Sequence, residues 1–137
     1  MKILVDINVV LDVVLARREW LMESARLMDA AEKGVINGYV AGHTVTTVYY
    51  LVQRAGSRTT AGKAVRDLLR VFDVVAVERQ DLIEAVASKI TDFEDAVQAV
   101  CAAKIGAEAI ATRDVKGFRT AAVPAQTPGA ILARMTP

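Results

Sequence analysis

Residues 1–15 read MKILVDINVVLDVVL, an apolar run broken by Asp6, Asn8 and Asp12. Ile3-Leu4-Val5 is short, β-branched and apolar on both faces, the pattern of a buried parallel strand. Val9 to Ala16 then reads as a helix, with Asn8 as its N-cap. A strand feeding directly into a helix, with a carboxylate at the junction, sets the fold class for the whole chain. A buried carboxylate is costly unless it is paired or binds a metal.

Working outward, the same alternation continues. Trp20 to Lys33 is a helix ended by Gly34. Asn37 to Ala41 is a short strand. Thr44 to Arg54 reads as a helix despite its β-branched residues, because Gly42 and Gly56 bracket it and it is longer than a typical strand. Thr59 to Val71 is a helix, Val74 to Val77 a strand, and Asp81 to Lys89 a helix. Asp92 to Ile105 is a helix opened by acidic residues, where the helix dipole favours negative charge. Ala109 to Ala111 is a strand, and Ala121 to Val123 a last short one. Thr127-Pro128 gives an N-cap with proline at the first helical position, opening a helix through Met135. Short apolar strands alternating with longer helices predict an α/β fold around a central parallel sheet. In such sheets ligands collect at the carboxyl ends of the strands.

The chain has 137 residues, the size of a single domain with one core, and at 53% hydrophobic it is composed to fold. Lys and Arg number 17 against 16 Asp and Glu, so overall charge neither points to nucleic acid nor excludes it. The lone Cys101 cannot form an internal disulfide, which suits a reducing cytoplasm. Lys2 before an apolar run resembles a secretory leader, but Asp6, Asp12 and Arg17-Arg18-Glu19 break that pattern, so it reads as mature structure. No segment approaches the ~18 apolar residues of a spanning helix, and no membrane role is expected.

Three strand ends carry acids. Asp6 ends the first strand, Asp114 follows Ala109–Ala111, and Asp92, Glu94 and Asp95 open a helix in TDFEDAVQAV. Asp92 and Asp95 share a helix face, and Glu94 points elsewhere. If the sheet brings these ends together, Asp6, Asp95 and Asp114 converge with Asp92 nearby. Such carboxylates cannot all ionise at close range without a cation. Oxygen donors without convergent His or Cys select Mg²⁺ or Mn²⁺, and such a site can activate water against a phosphodiester. Each acid also has an ordinary reading. Asp6 and Asp114 could cap a helix or turn, Asp92 could be an N-cap, and Asp95 a first-turn residue favoured by the dipole.

LVDINVVLDVVL, TDFEDAVQAV and IATRDVKGF together resemble the PIN-domain family, from about residue 2 to about residue 134. TVTTVYYLV resembles the family's middle helix and TPGAIL its closing one. Many relatives are toxins of bacterial toxin–antitoxin pairs of the VapC kind. The resemblance implies a Rossmann-like α/β/α sandwich and a Mg²⁺- or Mn²⁺-dependent ribonuclease acting on single-stranded RNA. A small antitoxin and a homodimer are the partners it implies. It places Asp6, Asp95 and Asp114 at the acidic metal-site positions. Asn8 and Thr112 match polar positions beside them, and Asp92 and Asp12 match acidic positions of this branch. Asp12 points away from Asp6, which leaves pairing with Arg17 or Arg18, solvation, or a metal role. The family's middle helix usually carries Glu in a T-x-x-E-x-Y-Y pattern, and this chain has Thr47 there. A neutral hydroxyl at that place implies weaker metal binding unless Asp92 supplies the missing charge.

Arg113 and Lys116 flank Asp114 and are candidate substrate contacts. Arg54, Arg58, Lys63, Arg66 and Arg70 read as a solvated helix face. His43 has no Cys or Ser partner nearby in sequence and reads as a loop or capping residue. Cys101 and Tyr49-Tyr50 read as helix packing, and Trp20 as an anchor for a helix or a partner. Two alternatives stand beside the nuclease. One is a PIN-fold RNA- or protein-binding module with a degenerate site. The other, a phosphoacceptor receiver domain, is disfavoured because Ile7, not a second acid, follows Asp6.

Overall fold

The computed structural model describes residues 1–135. Ile3, Leu4 and Val5 have no solvent exposure, each worth about 1.5–3 kcal/mol relative to exposure. Burying both faces of that strand requires strands on both edges and helices above and below. The chain supplies them in the order β1 (Lys2–Val5), α1 (Ile7–Val14), α2 (Leu21–Glu32), β2 (Asn37–Ala41), α3 (Gly42–Ala55), α4 (Arg58–Val71), β3 (Asp73–Val75), α5 (Arg79–Ala87), α6 (Phe93–Lys104), β4 (Ala109–Ala111), a 3₁₀ turn at Val115–Phe118, β5 (Ala125–Gln126) and α7 (Pro128–Met135). The sheet runs β3-β2-β1-β4-β5 and is parallel throughout. Among the described residues no helix is long and apolar enough to cross a membrane.

Ile3 and Val5 face one layer, with Val9, Val10, Leu27, Val48, Leu68 and Ile131. Leu4 faces the other, with Ala85, Val97, Cys101 and Ile110. The central parallel sheet between helical layers is the α/β/α architecture expected. Strand order reverses between β1 and β4, whose registers pair Val5 with Ala111. A crevice opens outside the carboxyl ends of strands at such a reversal. Asp6 and Thr112 are the next residues of the two strands.

Several boundaries differ from expectation. α1 begins at Ile7, so Asp6 and not Asn8 is the residue before it, and Asn8 lies inside the first turn. α5 begins at Arg79 because Asp81 reaches back to accept the Glu78 N–H at 2.8 Å. The last strand is Ala125–Gln126, not Ala121–Val123. Val123 is buried there as a core residue, and the Pro124 carbonyl accepts the Ile110 N–H at 2.9 Å. Proline has no N–H for a ladder, so pairing extends beyond it.

α1, α2 and α6 end alike. After α2, Gly34 N–H donates to Ala31 O and Val35 N–H to Ala30 O; after α6, Gly106 and Ala107 repeat the pattern to Ala103 and Ala102. These are Schellman closures, which need a left-handed residue. Gly34 and Gly106 supply it at φ +73° and +67°. After α1 the same pair of bonds runs from Ala16 to Val13 and from Arg17 to Asp12, yet the left-handed residue is Ala16 at φ +50°. An alanine there carries a Cβ penalty that glycine lacks. Ala16→Gly is therefore expected to stabilise the protein by about 0.5–1 kcal/mol, the relieved strain less glycine's extra chain entropy. A urea midpoint that rises at unchanged slope is the signature.

Candidate functional site

Asp6 leaves β1 fully desolvated, at 2% exposure. Its Oδ1 accepts from the Gln98 amide at 2.9 Å and its Oδ2 from the Thr112 hydroxyl at 2.9 Å. Burial raises the Asp6 pKa, and the bonds from Gln98 and Thr112 and the amides of Ile7 and Asn8 oppose that rise. Thr112, directly after β4, also accepts the Asp114 N–H at 3.0 Å. The β1 and β4 ends are thus tied together through one carboxylate and one hydroxyl.

Gln98 is the residue that sequence reasoning missed. It is fully buried in α6. Its Nε2 donates to Asp6 and, at 3.2 Å, to Asp95 Oδ1. Its Oε1 accepts the Ile7 N–H at 3.1 Å and the Thr44 hydroxyl at 3.5 Å. Only an amide side chain donates and accepts in this way without carrying charge. The signal was present: Gln98 is the polar residue inside AVQAVCAA, one turn after Asp95 and so on its face.

The acids do not converge as tightly as expected. Among the described residues, no group of three Asp, Glu, His or Cys side chains is placed to hold a metal ion. Asp92 spends Oδ1 capping α6, accepting the Asp95 N–H at 3.0 Å. Asp114 spends Oδ1 on the Gly117 N–H at 3.0 Å. Each keeps its second oxygen. Asp6 and Asp95 remain as a pair bridged by Gln98. Asp6, Asp92 and Asp114 all remain in electrostatic reach of Asp95. Asp95 is pushed up from 3.8 to about 7, first by burial, then by Asp6, Asp92, Asp114 and Glu94. The donors around this pair are neutral, so nothing in the cluster offsets its negative charge. That all-oxygen, charge-deficient set fits Mg²⁺ or Mn²⁺, which bind through one or two carboxylates and keep several waters.

The flanking residues divide. Thr47 turns its hydroxyl back onto its own helix, donating to the His43 carbonyl at 3.0 Å. His43, in the first turn of α3, bonds through Nε2 to the Glu94 carbonyl at 3.2 Å, tying α3 to α6. Because a carbonyl only accepts, Nε2 carries the proton. Asn8 Oδ1 accepts from Arg17 at 3.4 Å and faces the α1–α2 connection rather than the acids. Lys116 is exposed in the 3₁₀ turn. Lys63 and Arg70 both pair with Asp67, so the α4 cations form the solvated face expected. Asp12 is not solvated. It is fully buried and meets Arg113 Nε at 3.1 Å, Arg17 at 3.8 Å and the Ser24 hydroxyl at 3.1 Å. Pairing with Arg17 was among the expectations and is present; solvation fails because the Asp12 side chain is buried against Ser24 of α2, and Arg113 was not foreseen because it lies far off in sequence.

The family model of the PIN domain matches residues 2–116. No curated protein sequence matches the chain. Solved structures share the fold at low identity. A chain of VapBC2 from Rickettsia felis, bound to a DNA fragment from its promoter, aligns at TM-score 0.71 and 10% identity, covering 93% of this chain and 98% of its own. VapC20 of Mycobacterium tuberculosis, a Sarcin-Ricin loop cleaving toxin, gives 0.70 and 17%, with 85% and 93% covered. A chain of VapBC-1 from nontypeable Haemophilus influenzae gives 0.68 and 14%, with 94% and 99% covered.

Two outcomes test this geometry. Gln98→Leu leaves two carboxylates and a backbone N–H without their partner, and is expected to cost about 2–3 kcal/mol in urea denaturation. The metal-free protein also carries a pH signature. The folded state holds a proton on Asp95 up to about 7 and the unfolded state only to about 3.8. Between those values the folded state binds more protons, so stability falls as pH rises. Urea midpoints should show that slope across the interval, and Asp95→Asn should flatten it.

Proposed function

The chain belongs to the PIN-domain family, and from that premise we propose that it is a Mg²⁺- or Mn²⁺-dependent endoribonuclease cleaving single-stranded RNA, the toxin of a toxin–antitoxin pair. The observation that carries this reading is the Gln98-bridged pair of buried Asp6 and half-buried Asp95 at the sheet's reversal point, with no cation of its own. Asp6 and Asp95 would hold the metal, and Asp114 and Asp92 add negative charge that acts on Asp95. When bound, the ion lowers the pKa of a water and offsets charge on the phosphodiester. Thr112 and Gln98 fix the Asp6 carboxylate so that both its oxygens keep one orientation. Arg113 and Lys116, on either side of Asp114, are the cations placed for substrate phosphates. α5 exposes Leu82, Ile83 and Val86, with Phe93 exposed at the start of α6. Apolar surface of this kind suits a protein partner, an antitoxin or a second copy. A cytoplasmic location accords with this reading and with the unpaired thiol of Cys101.

The test is cleavage of single-stranded RNA by the purified protein with Mg²⁺ or Mn²⁺. Asp6→Asn and Asp95→Asn should each reduce cleavage at least about 100-fold, the scale of losing a charge-stabilising group. Cleavage that survives both would sink the assigned site. A second reading rests on Thr47, whose neutral hydroxyl is already committed to His43: a PIN-fold RNA- or protein-binding module with a weak or inactive site. It requires the wild-type chain to be inert, with cleavage appearing in Thr47→Glu.

A further inference from the structure

Asp12, Arg113 and Trp20 come from α1, the β4–3₁₀ connection and the start of α2, and meet at one point. Asp12 is fully buried, and Arg113 Nε stands 3.1 Å from its Oδ2. The contact is an ion pair rather than a hydrogen bond, because Nε finds no acceptor in line. The guanidinium lies over the Trp20 ring, 4.9 Å from its centre. Arg17, brought round by the Schellman turn after α1, approaches the other Asp12 oxygen at 3.8 Å and bonds Asn8. Arg113 is therefore held from the side by a carboxylate and from its face by an indole.

Its two Nη atoms have no protein acceptor among the described residues. An arginine normally loses much rotamer entropy when it grips an anion. Here that entropy is already lost on folding. In the chain Arg113 stands directly between Thr112, bonded to Asp6, and Asp114. A planar fork whose Nη groups find no protein acceptor among the described residues matches a phosphodiester oxygen pair.

We propose that Asp12 and Trp20 are positioning residues that hold Arg113 as a preset contact for an RNA phosphate beside the carboxylate site. This rests on the ribonuclease reading above. It assigns Asp12 a role opposite to the one its charge suggests. An aspartate near RNA repels the strand, so Asp12→Asn acting through charge alone would tighten binding. Acting through Arg113 it must weaken binding.

Anisotropy of a short fluorescein-labelled single-stranded RNA, in EDTA, reads this without turnover. Arg113→Gln should weaken binding about tenfold, the scale of a hydrogen bond to a charged group, and lower the slope of log K against log salt by about 0.7. Asp12→Asn and Trp20→Leu should each weaken binding by about threefold to tenfold. Neither should weaken it further in the Arg113→Gln background, because coupled residues are not additive. Arg113→Gln strands the buried Asp12 charge, so Arg113→Lys accompanies it. That variant keeps the charge but not the planar fork, and should also bind less tightly. Melting curves identify any variant that does not fold. Wild-type affinity in Asp12→Asn, Trp20→Leu and Arg113→Lys overturns the inference, including the case in which Arg113 serves a protein partner. Tighter binding by Asp12→Asn overturns it as well. Failure of the wild-type chain to bind RNA overturns the ribonuclease reading and this inference together.

Discussion

The Asp6 carboxylate is the constraint around which the fold is organised. It follows the buried central strand of the sheet, where a charge has no water to solvate it. The structure meets it with two neutral donors, the Gln98 amide from α6 and the Thr112 hydroxyl after β4. Gln98 in turn satisfies the first N–H of α1 and approaches the Thr44 hydroxyl on α3. Four elements are registered to one another at a single amide. Helix α6 is held at the height that sets Asp95 beside Asp6.

Two aspartates six residues apart on one segment are treated in opposite ways. Asp12 is met by cations, Arg113 and Arg17, and by the Ser24 hydroxyl. Its charge is balanced within the protein. Asp6 is met by dipoles alone, and Gln98 bridges it to another acid, Asp95. The excess appears in Asp95, which holds its proton to about 7. A cluster satisfied in hydrogen bonds but not in charge is a place where an external cation gains energy. That difference separates the candidate site from the ion pairs elsewhere in the molecule.

Much of the fold was legible because it rests on local chemistry. The doubly buried Ile3-Leu4-Val5, the glycine stops at Gly34 and Gly106, and the Thr127-Pro128 start are short-range signals that tertiary packing had no reason to override. The site was legible in part. Asp6, Asp95 and Asp114 announced themselves by standing at strand ends and a helix start. Gln98 was visible as a polar break in an apolar helix, but its meaning lay in a carboxylate 92 positions earlier. Asn8 looked like the cap because it is a good capping residue directly before an apolar run. The helix begins two residues earlier than that reading required, with the Asp6 side chain drawn off to Gln98 and Thr112.

The order of strands and helices, the parallel sheet and the acids at its carboxyl edge followed from the chain's own pattern of apolar runs and breakers. Which acids pair, which turn back to cap their own helices, and which aspartate is neutralised by arginine were decided only on folding. The physical reason is range. Periodicity and capping act over a few residues, whereas the partners of Asp6 and Asp12 lie about a hundred residues away in sequence and come within hydrogen-bonding distance only when β4 and α6 close against β1.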